Sequence, residues 1–181
     1  MPGSKSARAS AGFLTPRALA LVFLWFSFIA SRPTVAQSAP PEPTLRVTGI
    51  VERHLVLHDS DLQKLPRKHV AVTDEKGNPA TYDGIAVADI LRRAGAPLGK
   101  QLRGPQLRLY IVANAADGYR VVYALPEFDP DFVNQVVILA DRRDGHPISS
   151  PEGPFRLVVP GEKRHARWVR EVTSFDVEQA R

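Results

Sequence analysis

The densest group of chemically active side chains is a basic cluster near the C-terminal end of the chain. Its members are Lys163, Arg164, His165, Arg167 and Arg170. Guanidinium groups bind phosphate through paired hydrogen bonds, and backbone N–H groups beside a glycine add further donors. The cluster therefore predicts a site for an anionic small molecule. The alternative interpretation is a solvated basic loop that leads into a strand, with only Trp168 in the core.

Several other kinds of chemistry lack support in the sequence. The chain contains no cysteine, which excludes a thiolate nucleophile, a cysteine-ligated zinc site and an iron–sulfur cluster. It contains no phosphate-binding P-loop and no dinucleotide-binding glycine motif, and no G-x-S-x-G segment indicates a hydrolase. His54 and His58 are four residues apart in a strand-like segment. Because no third ligand lies near them in the sequence, we predict no metal site.

The first 36 residues have the pattern of a secretory signal peptide. Lys5, Arg8 and Arg17 form a basic start, an apolar run of 13 residues covers 18–30, and small residues at 34–36 suit cleavage. Such a run reaches about 20 Å as a helix, whereas the hydrocarbon core of a membrane is about 30 Å thick. We therefore expect a periplasmic or secreted protein, with an uncleaved membrane anchor as the alternative. No twin-arginine pair precedes the apolar run, which favours export without a folded cofactor.

Removal of this leader changes the charge of the protein. The full chain has 24 basic and 19 acidic residues, and four of the basic ones lie within residues 1–36, where there is no acidic residue. The remainder therefore has 20 basic and 19 acidic residues, a net charge of +1. Such a balance does not favour a nucleic-acid partner. After cleavage we also expect no stable membrane insertion.

The rest of the chain is consistent with one domain. Residues 37–44 are rich in proline and predict an extended linker, and residues 178–181 predict a polar tail. The folded domain between them, at 45–177, is long enough to bury about two-thirds of its unfolded surface. Its hydrophobic core must stabilise it, because a chain without cysteine forms no disulfide.

Within that domain one helix is clear and strands predominate. Val87, Ile90, Leu91 and Ala94 form a single apolar stripe at helical spacing, and Gly95 lies where a helix C-cap belongs. Apolar alternation and turn residues predict strands near 45–51, 55–57, 70–72, 107–112, 119–123, 136–140, 155–159 and 168–175. Many short strands with one clear helix predict an α+β fold.

Several segments stand in an order and spacing that resemble a known domain. In the C-terminal half they are ADGYRVVYAL at 116–125, LADRRDGHPI at 139–148 and GPFRLVVPGEKRHARWV at 153–169. With DLQKLP at 61–66 and YDGI at 82–85, they resemble the molybdopterin-binding domain of the sulfite oxidase family. The resemblance extends over essentially the whole folded domain. It implies a sulfite-oxidase-like fold with mixed or antiparallel sheets and few short helices.

The resemblance also implies a role for the basic cluster. Residues 160–168 resemble the family segment P-G…R-H-x-K-W, a region that helps to hold the pterin and its phosphate. The cofactor-binding residues that it implies are Lys163, Arg164, His165, Arg167, Arg142 and Arg143. The last two belong to this pocket only if the turn at 141–145 lies as in the family, and otherwise they are exposed turn charges. Molybdopterin is possible by resemblance alone, and the residues themselves leave the cofactor unknown.

One departure from the family bears directly on function. Members with a metal-ligating cysteine have it shortly before a G-N pair, in a T-L-x-C-x-G-N segment. In the comparable segment 72–78, an alignment without gaps puts Glu75 in that place. A carboxylate is a hard oxygen ligand and does not reproduce the electronic properties of a thiolate. The alternative is that Asp74, Glu75 and Lys76 form the solvated tip of a hairpin.

Two functions follow, and the sequence leaves open whether the protein is an enzyme. The first is a non-catalytic binding module for an anionic small molecule, a pterin among them, or for a protein partner of unknown identity. The second is a molybdenum-cofactor-dependent oxidoreductase whose metal is held without a cysteine. In that case the cofactor would supply the redox chemistry and the protein would orient it.

Overall fold

The computed structural model describes residues 42–181. The predicted leader at 1–36 lies outside the described residues, and so does the predicted linker except for its last three positions. Within residues 42–181, no helix has the length and apolar character needed to cross a membrane.

Ten strands form two five-stranded sheets. The first sheet has the order β2-β1-β10-β5-β6 and is mixed, because β1 and β10 run parallel while its other pairs are antiparallel. Its strands are β1 (Thr44–Gly49), β2 (Leu55–His58), β5 (Leu109–Ala115), β6 (Arg120–Ala124) and β10 (Val172–Gln179). Strands β1 and β10 come from opposite ends of the domain sequence. They lie side by side in this sheet, and β10 is its central strand.

The second sheet is antiparallel and contains the hairpin that later forms one wall of the site. Its strands are β3 (Arg67–Thr73), β4 (Pro79–Ala86), β7 (Ile138–Arg143), β8 (His146–Pro147) and β9 (Arg156–Val158). The order is β3-β4-β7-β8, and β9 also pairs with β7. Strand β7 is buried at its first four positions, which are three apolar residues of the predicted run at 136–140 and Asp141.

Two α-helices and four short 3₁₀ turns connect the strands. The helices are α1 (Asp59–Leu62) and α2 (Val87–Ala94), and the turns are Gly99–Gln101, Gly104–Arg108, Leu125–Phe128 and His165–Arg167. Helix α2 ends as predicted, because Gly95 takes the left-handed conformation with φ of 78°. A Cβ atom there would lie 2.6 Å from the Cβ of Glu52, so only glycine fits this turn.

The core lies between the two sheets and includes side chains from both. Its largest fully buried aromatic residues are Tyr82, Tyr123, Phe155 and Phe175. This sheet-rich architecture with few helices confirms the predicted α+β class and the sulfite-oxidase-like fold.

The last strand differs from its prediction in position. A strand was expected at 168–175, but β10 begins at Val172, because Glu171 has a positive φ of 48° and interrupts the extended backbone. Trp168 therefore belongs to the preceding loop, although it is buried as expected. At its other end β10 continues to Gln179, which pairs with Leu109 of β5.

Candidate functional site

The β3–β4 hairpin places a rigid tip at one side of the site. The Asp74 carboxylate accepts hydrogen bonds from the backbone N–H groups of Lys76 at 2.9 Å and Asn78 at 2.8 Å. The same carboxylate pairs with the Arg143 guanidinium of β7 at 2.7 Å. The Asn78 hydrogen bond is the main cause that holds the pKa of Asp74 below its usual value. The tip that presents Glu75 is thus fixed at both the backbone and the side chain.

The opposite side of the site is the loop at 160–171, which two tyrosines of the β5–β6 hairpin hold in place. The Tyr119 hydroxyl donates to the backbone carbonyl of Ala166 at 2.8 Å, and the Tyr123 hydroxyl donates to that of Arg167. Burial raises the pKa of Tyr123, so this hydroxyl keeps its proton. The sequence alone did not indicate that these tyrosines bind the loop at 160–171.

Arg167 lines none of the cavities of the site, although its partner Glu162 does. Its guanidinium lies 4.3 Å from the centroid of the Tyr123 ring and pairs with Glu127 at 2.6 Å and Glu162 at 2.9 Å. Burial raises the pKa of Glu162, although the nearby Arg167 charge opposes this effect. Arg167 therefore braces the loop from behind, and we call the group of Arg167, Glu127 and Glu162 the loop brace.

A cavity of about 560 Å³ separates the hairpin tip from the loop, and we call it the basic cavity. It is lined by Thr73, Asp74, Glu75, Glu162, Lys163, Arg164, His165 and Ala166. Two smaller cavities of about 270 and 300 Å³ share Glu75, Arg156 and His165, and they adjoin it. Glu75 and His165 line all three, so they stand at the centre of one continuous site.

A buried arginine forms part of the floor of the two smaller cavities. The side chain of Arg156 is only 5% exposed. Its Nη1 lies 2.5 Å from the Glu152 carboxylate, whereas its Nη2 lies 3.8 Å from that of Glu75. Its Nε is buried and, within residues 42–181, has no hydrogen-bond partner, a property that it shares with the Nε of Arg167. Sequence reasoning missed this residue, although an arginine within the apolar strand β9 is itself unusual, because charged residues are rarely buried without a partner.

Aromatic rings flank this arginine. The guanidinium carbon of Arg156 lies 5.9 Å from the centroid of Tyr82 and 5.7 Å from that of Trp168. The His165 ring stacks on Trp168 with centroids 3.8 Å apart, and the Trp168 indole N–H donates to the Val159 carbonyl at 3.0 Å. The floor therefore combines a positive charge with flat apolar surfaces.

The structure brings together four of the six predicted cofactor-binding residues. Lys163, Arg164 and His165 line the basic cavity, and Arg143 lines an adjoining one. Arg142 instead lies in a separate cavity of about 220 Å³, because successive residues of a strand point to opposite faces. With Arg167 directed into the loop brace, these two are placed apart from the rest, and the binding roles of all six stay predictions.

The carboxylates and the cations that line the basic cavity differ in their pairing. Asp74 pairs with Arg143 and Glu162 with Arg167, so Glu75 is the one carboxylate of this lining without a close cation among the described residues. Among residues 42–181, no carboxylate oxygen lies within 4 Å of the charged groups of Lys163, Arg164 or Arg170. All three are exposed. In the same part of the chain, no group of three or more histidine, aspartate or glutamate side chains has an arrangement that would hold a metal ion. The geometry thus suits an anion better than a cation.

Comparison with known proteins defines the class. The sequence model of the family described as "oxidoreductase molybdopterin binding domain" matches residues 32–181. The chain belongs to this family, as its motifs predicted. The sulfane dehydrogenase SoxCD from Paracoccus pantotrophus has a similar fold, with a TM-score of 0.59 and 22% identity. The similarity covers 75% of this chain but only 38% of that one. No curated protein sequence matches the chain.

Proposed function

We propose that this protein is an exported binding module for an anionic, phosphate-bearing small molecule. The ligand lies between the β3–β4 hairpin tip and the loop at 160–171. Its phosphate contacts Lys163 and Arg164, and its remaining part extends toward Arg156. The leader-like pattern at 1–36 supports export, and the family supports a pterin-type ligand.

The observation on which this proposal depends is the set of unpaired cations at the basic cavity. Most arginines near the site already have a carboxylate partner, Arg143 with Asp74 among them. Lys163 and Arg164 do not, and they line a cavity large enough for a small organic ligand. A phosphate would supply the acceptors that these side chains lack within the described residues.

A molybdopterin-type cofactor fits this site in part. Lys163 and Arg164 would hold its phosphate. Tyr82 and Trp168 border the adjoining cavities but are almost fully buried, so they offer a pterin ring little surface for stacking. The Nε of Arg156 has no partner within the described residues, but it is buried and would donate to the organic part only after a rotation of the side chain. The metal position fits less well, because the chain has no thiolate and an alignment without gaps puts the Glu75 carboxylate in the cysteine's place.

A second candidate function is a molybdenum-dependent oxidoreductase. Glu75 favours it. An alignment without gaps puts this residue in the place of the family's cysteine, and Glu75 lines all three cavities of the site. When bound, the cofactor would supply the redox chemistry. The residues of this chain would orient it, with Glu75 as an oxygen ligand and the basic loop as the phosphate holder.

Ligand binding by a paired variant tests the first proposal. We expect Lys163→Ala with Arg164→Ala to weaken the binding of a phosphate-bearing pterin at least about tenfold, because each lost charge-assisted hydrogen bond contributes about 1.5 kcal/mol or more. The measurement is isothermal titration calorimetry. The control is Lys100→Ala with Arg103→Ala, which removes two exposed charges that do not line the site. Equal affinities of the two double variants would contradict the proposal.

Metal content separates the two functions. The protein is purified from the exported fraction of a cofactor-competent host and assayed for molybdenum, tungsten and pterin fluorescence. Near-stoichiometric metal with pterin, and loss of the metal but not the pterin in Glu75→Gln, would favour the oxidoreductase. Pterin without metal, or neither in the purified protein but tight binding on addition, would favour the binding module.

A further inference from the structure

Glu75 faces Arg156 across the site but is held loosely. Its carboxylate Oε1 lies 3.8 Å from Arg156 Nη2, which is beyond hydrogen-bonding distance. The side chain is 67% exposed. The backbone of the hairpin tip is fixed by Asp74 and Arg143, so the tip does not depend on the Glu75 carboxylate for its conformation.

Arg156 is the opposite case, because it is fixed but incompletely paired. Among the residues that the structure describes, Glu152 pairs with its Nη1, its Nε has no partner, and its Nη2 has only the distant Glu75. In a guanidinium, Nε and one terminal nitrogen form a side-on fork that matches two oxygens of a phosphate or carboxylate. A buried charge whose donors lack acceptors costs free energy. An oxyanion bound at this fork would offset that cost.

We propose that Glu75 is an internal competitor for the side-on fork of Arg156. An anionic group at the inner end of the ligand, distinct from the phosphate at Lys163 and Arg164, displaces the Glu75 carboxylate, binds Nη2 and reaches the buried Nε through a rotation of the Arg156 side chain. Glu75 is thus a specificity-determining residue, because a doubly charged, bidentate oxyanion displaces it more readily than a singly charged one does. This inference rests on the proposed binding function and concerns the inner end of the same site.

The position of Glu75 explains how a single carboxylate could have this effect. It lines the basic cavity and both smaller cavities, so a ligand that extends from Lys163 to Arg156 must pass it. Its exposure makes the existing ion pair weak, and displacement therefore costs little. Its negative charge still repels an anion that fails to engage the fork.

The test is a titration with inorganic phosphate and, separately, with acetate. Binding is monitored by the NMR signal of the Trp168 indole N–H. That ring lies 5.7 Å from the Arg156 guanidinium carbon and is a local reporter. We expect Glu75→Gln to bind phosphate about three- to fivefold more tightly, which is the scale of one exposed ion pair. The gain in affinity should be larger for acetate. The ratio of phosphate affinity to acetate affinity should therefore be smaller in Glu75→Gln than in the unchanged protein.

Asp117→Asn is the matched control. Asp117 lines one of the smaller cavities and makes no ion pair with Arg156, so its removal changes the local charge equally without freeing the fork. Phosphate affinity should change less than about twofold in this variant, since screening by solvent is strong at exposed sites. An equal gain in Asp117→Asn and Glu75→Gln would overturn the competitor role and leave a general charge effect.

Two other outcomes are equally decisive. Weaker phosphate binding by Glu75→Gln, with binding by the unchanged protein intact, would overturn the inference and mean that Glu75 itself contacts the ligand. No binding of phosphate, acetate or a phosphate-bearing pterin by any of the three proteins would overturn the proposed function and this inference with it. Failure of the inference alone therefore differs visibly from failure of the function.

Discussion

The loop brace and the floor of the site are two regions built around an arginine, yet their geometry differs. In the loop brace, Arg167 lies over an aromatic ring and has two close carboxylates, Glu127 at 2.6 Å and Glu162 at 2.9 Å. This pairing neutralises the guanidinium, which lines none of the cavities of the site. Arg167 is thus a positioning residue, even though the sequence places it in the middle of the basic cluster.

The floor of the site shows the same residue type with fewer close carboxylates. Within residues 42–181 the Nε of both arginines is buried without a partner, so the difference lies at the terminal nitrogens. Arg156 also lies beside aromatic rings, but only Glu152 is close, at 2.5 Å, and Glu75 is 3.8 Å away. The difference teaches that the number of close carboxylates, rather than the density of basic residues, separates an arginine that supports a loop from one that can bind an anion.

Removal of Arg167 should have the largest effect on stability. Arg167→Ala leaves Glu127 and Glu162 without their cation, and we expect the free energy of unfolding to fall by about 2 kcal/mol, below the range for fully buried pairs because this one is partly exposed. Denaturant unfolding measures the change. Arg142→Ala, at an exposed position, is expected to change it by less than about 0.5 kcal/mol.

A second measurement separates positioning from direct contact. Phosphate affinity should also fall in Arg167→Ala, because the loop at 160–171 loses its brace, and Arg167→Lys should restore part of it by keeping the charge between the two carboxylates. If Arg167→Ala bound phosphate as tightly as the unchanged protein, the loop brace would have no role in the site.

The fold was more predictable from the sequence than the site was. Helix α2 and its Gly95 cap follow from apolar spacing and a left-handed glycine, which are local properties. Arg142 and Arg143 could have been separated by the alternation of a strand. The direction of Arg167 could not, because it lies in an irregular loop whose geometry depends on hydrogen bonds from distant Tyr119 and Tyr123.

The tyrosine hydroxyls should show the next largest effect. Tyr123→Phe removes a hydrogen bond to the Arg167 carbonyl from a fully buried ring, and we expect the free energy of unfolding to fall by about 1 kcal/mol. Tyr119→Phe removes the same kind of hydrogen bond to the Ala166 carbonyl. Tyr119 is 48% exposed, so a water molecule can donate to that carbonyl instead. Its loss should be clearly smaller, and equal losses would argue against the importance of burial here.

The smallest effects should appear in the pH dependence of stability, with opposite signs at the hairpin tip and in the loop brace. Hydrogen bonds, chiefly from Asn78, keep the pKa of Asp74 low, so its contribution to stability is present above its ordinary pKa of 3.8 and is lost as the pH falls through the lower folded value. Asp74→Asn should therefore destabilise the protein near neutral pH, and its difference from the unchanged protein should shrink in acid. Unfolding measured from about pH 7 down to about pH 3 tests this, with Asp117→Asn as an exposed control.

Glu162 should behave in the opposite way, since burial raises the pKa of its carboxyl despite the neighbouring Arg167. Its contribution is present below the ordinary pKa of 4.5 and is lost as the pH rises through the raised folded value. Near neutral pH, the free energy of unfolding of Glu162→Gln should therefore equal that of the unchanged protein or exceed it by less than about 1 kcal/mol. This advantage should disappear in acid. A marked loss of stability at neutral pH would mean that the attraction of Arg167 outweighs desolvation, and that the brace depends on the charge of both carboxylates.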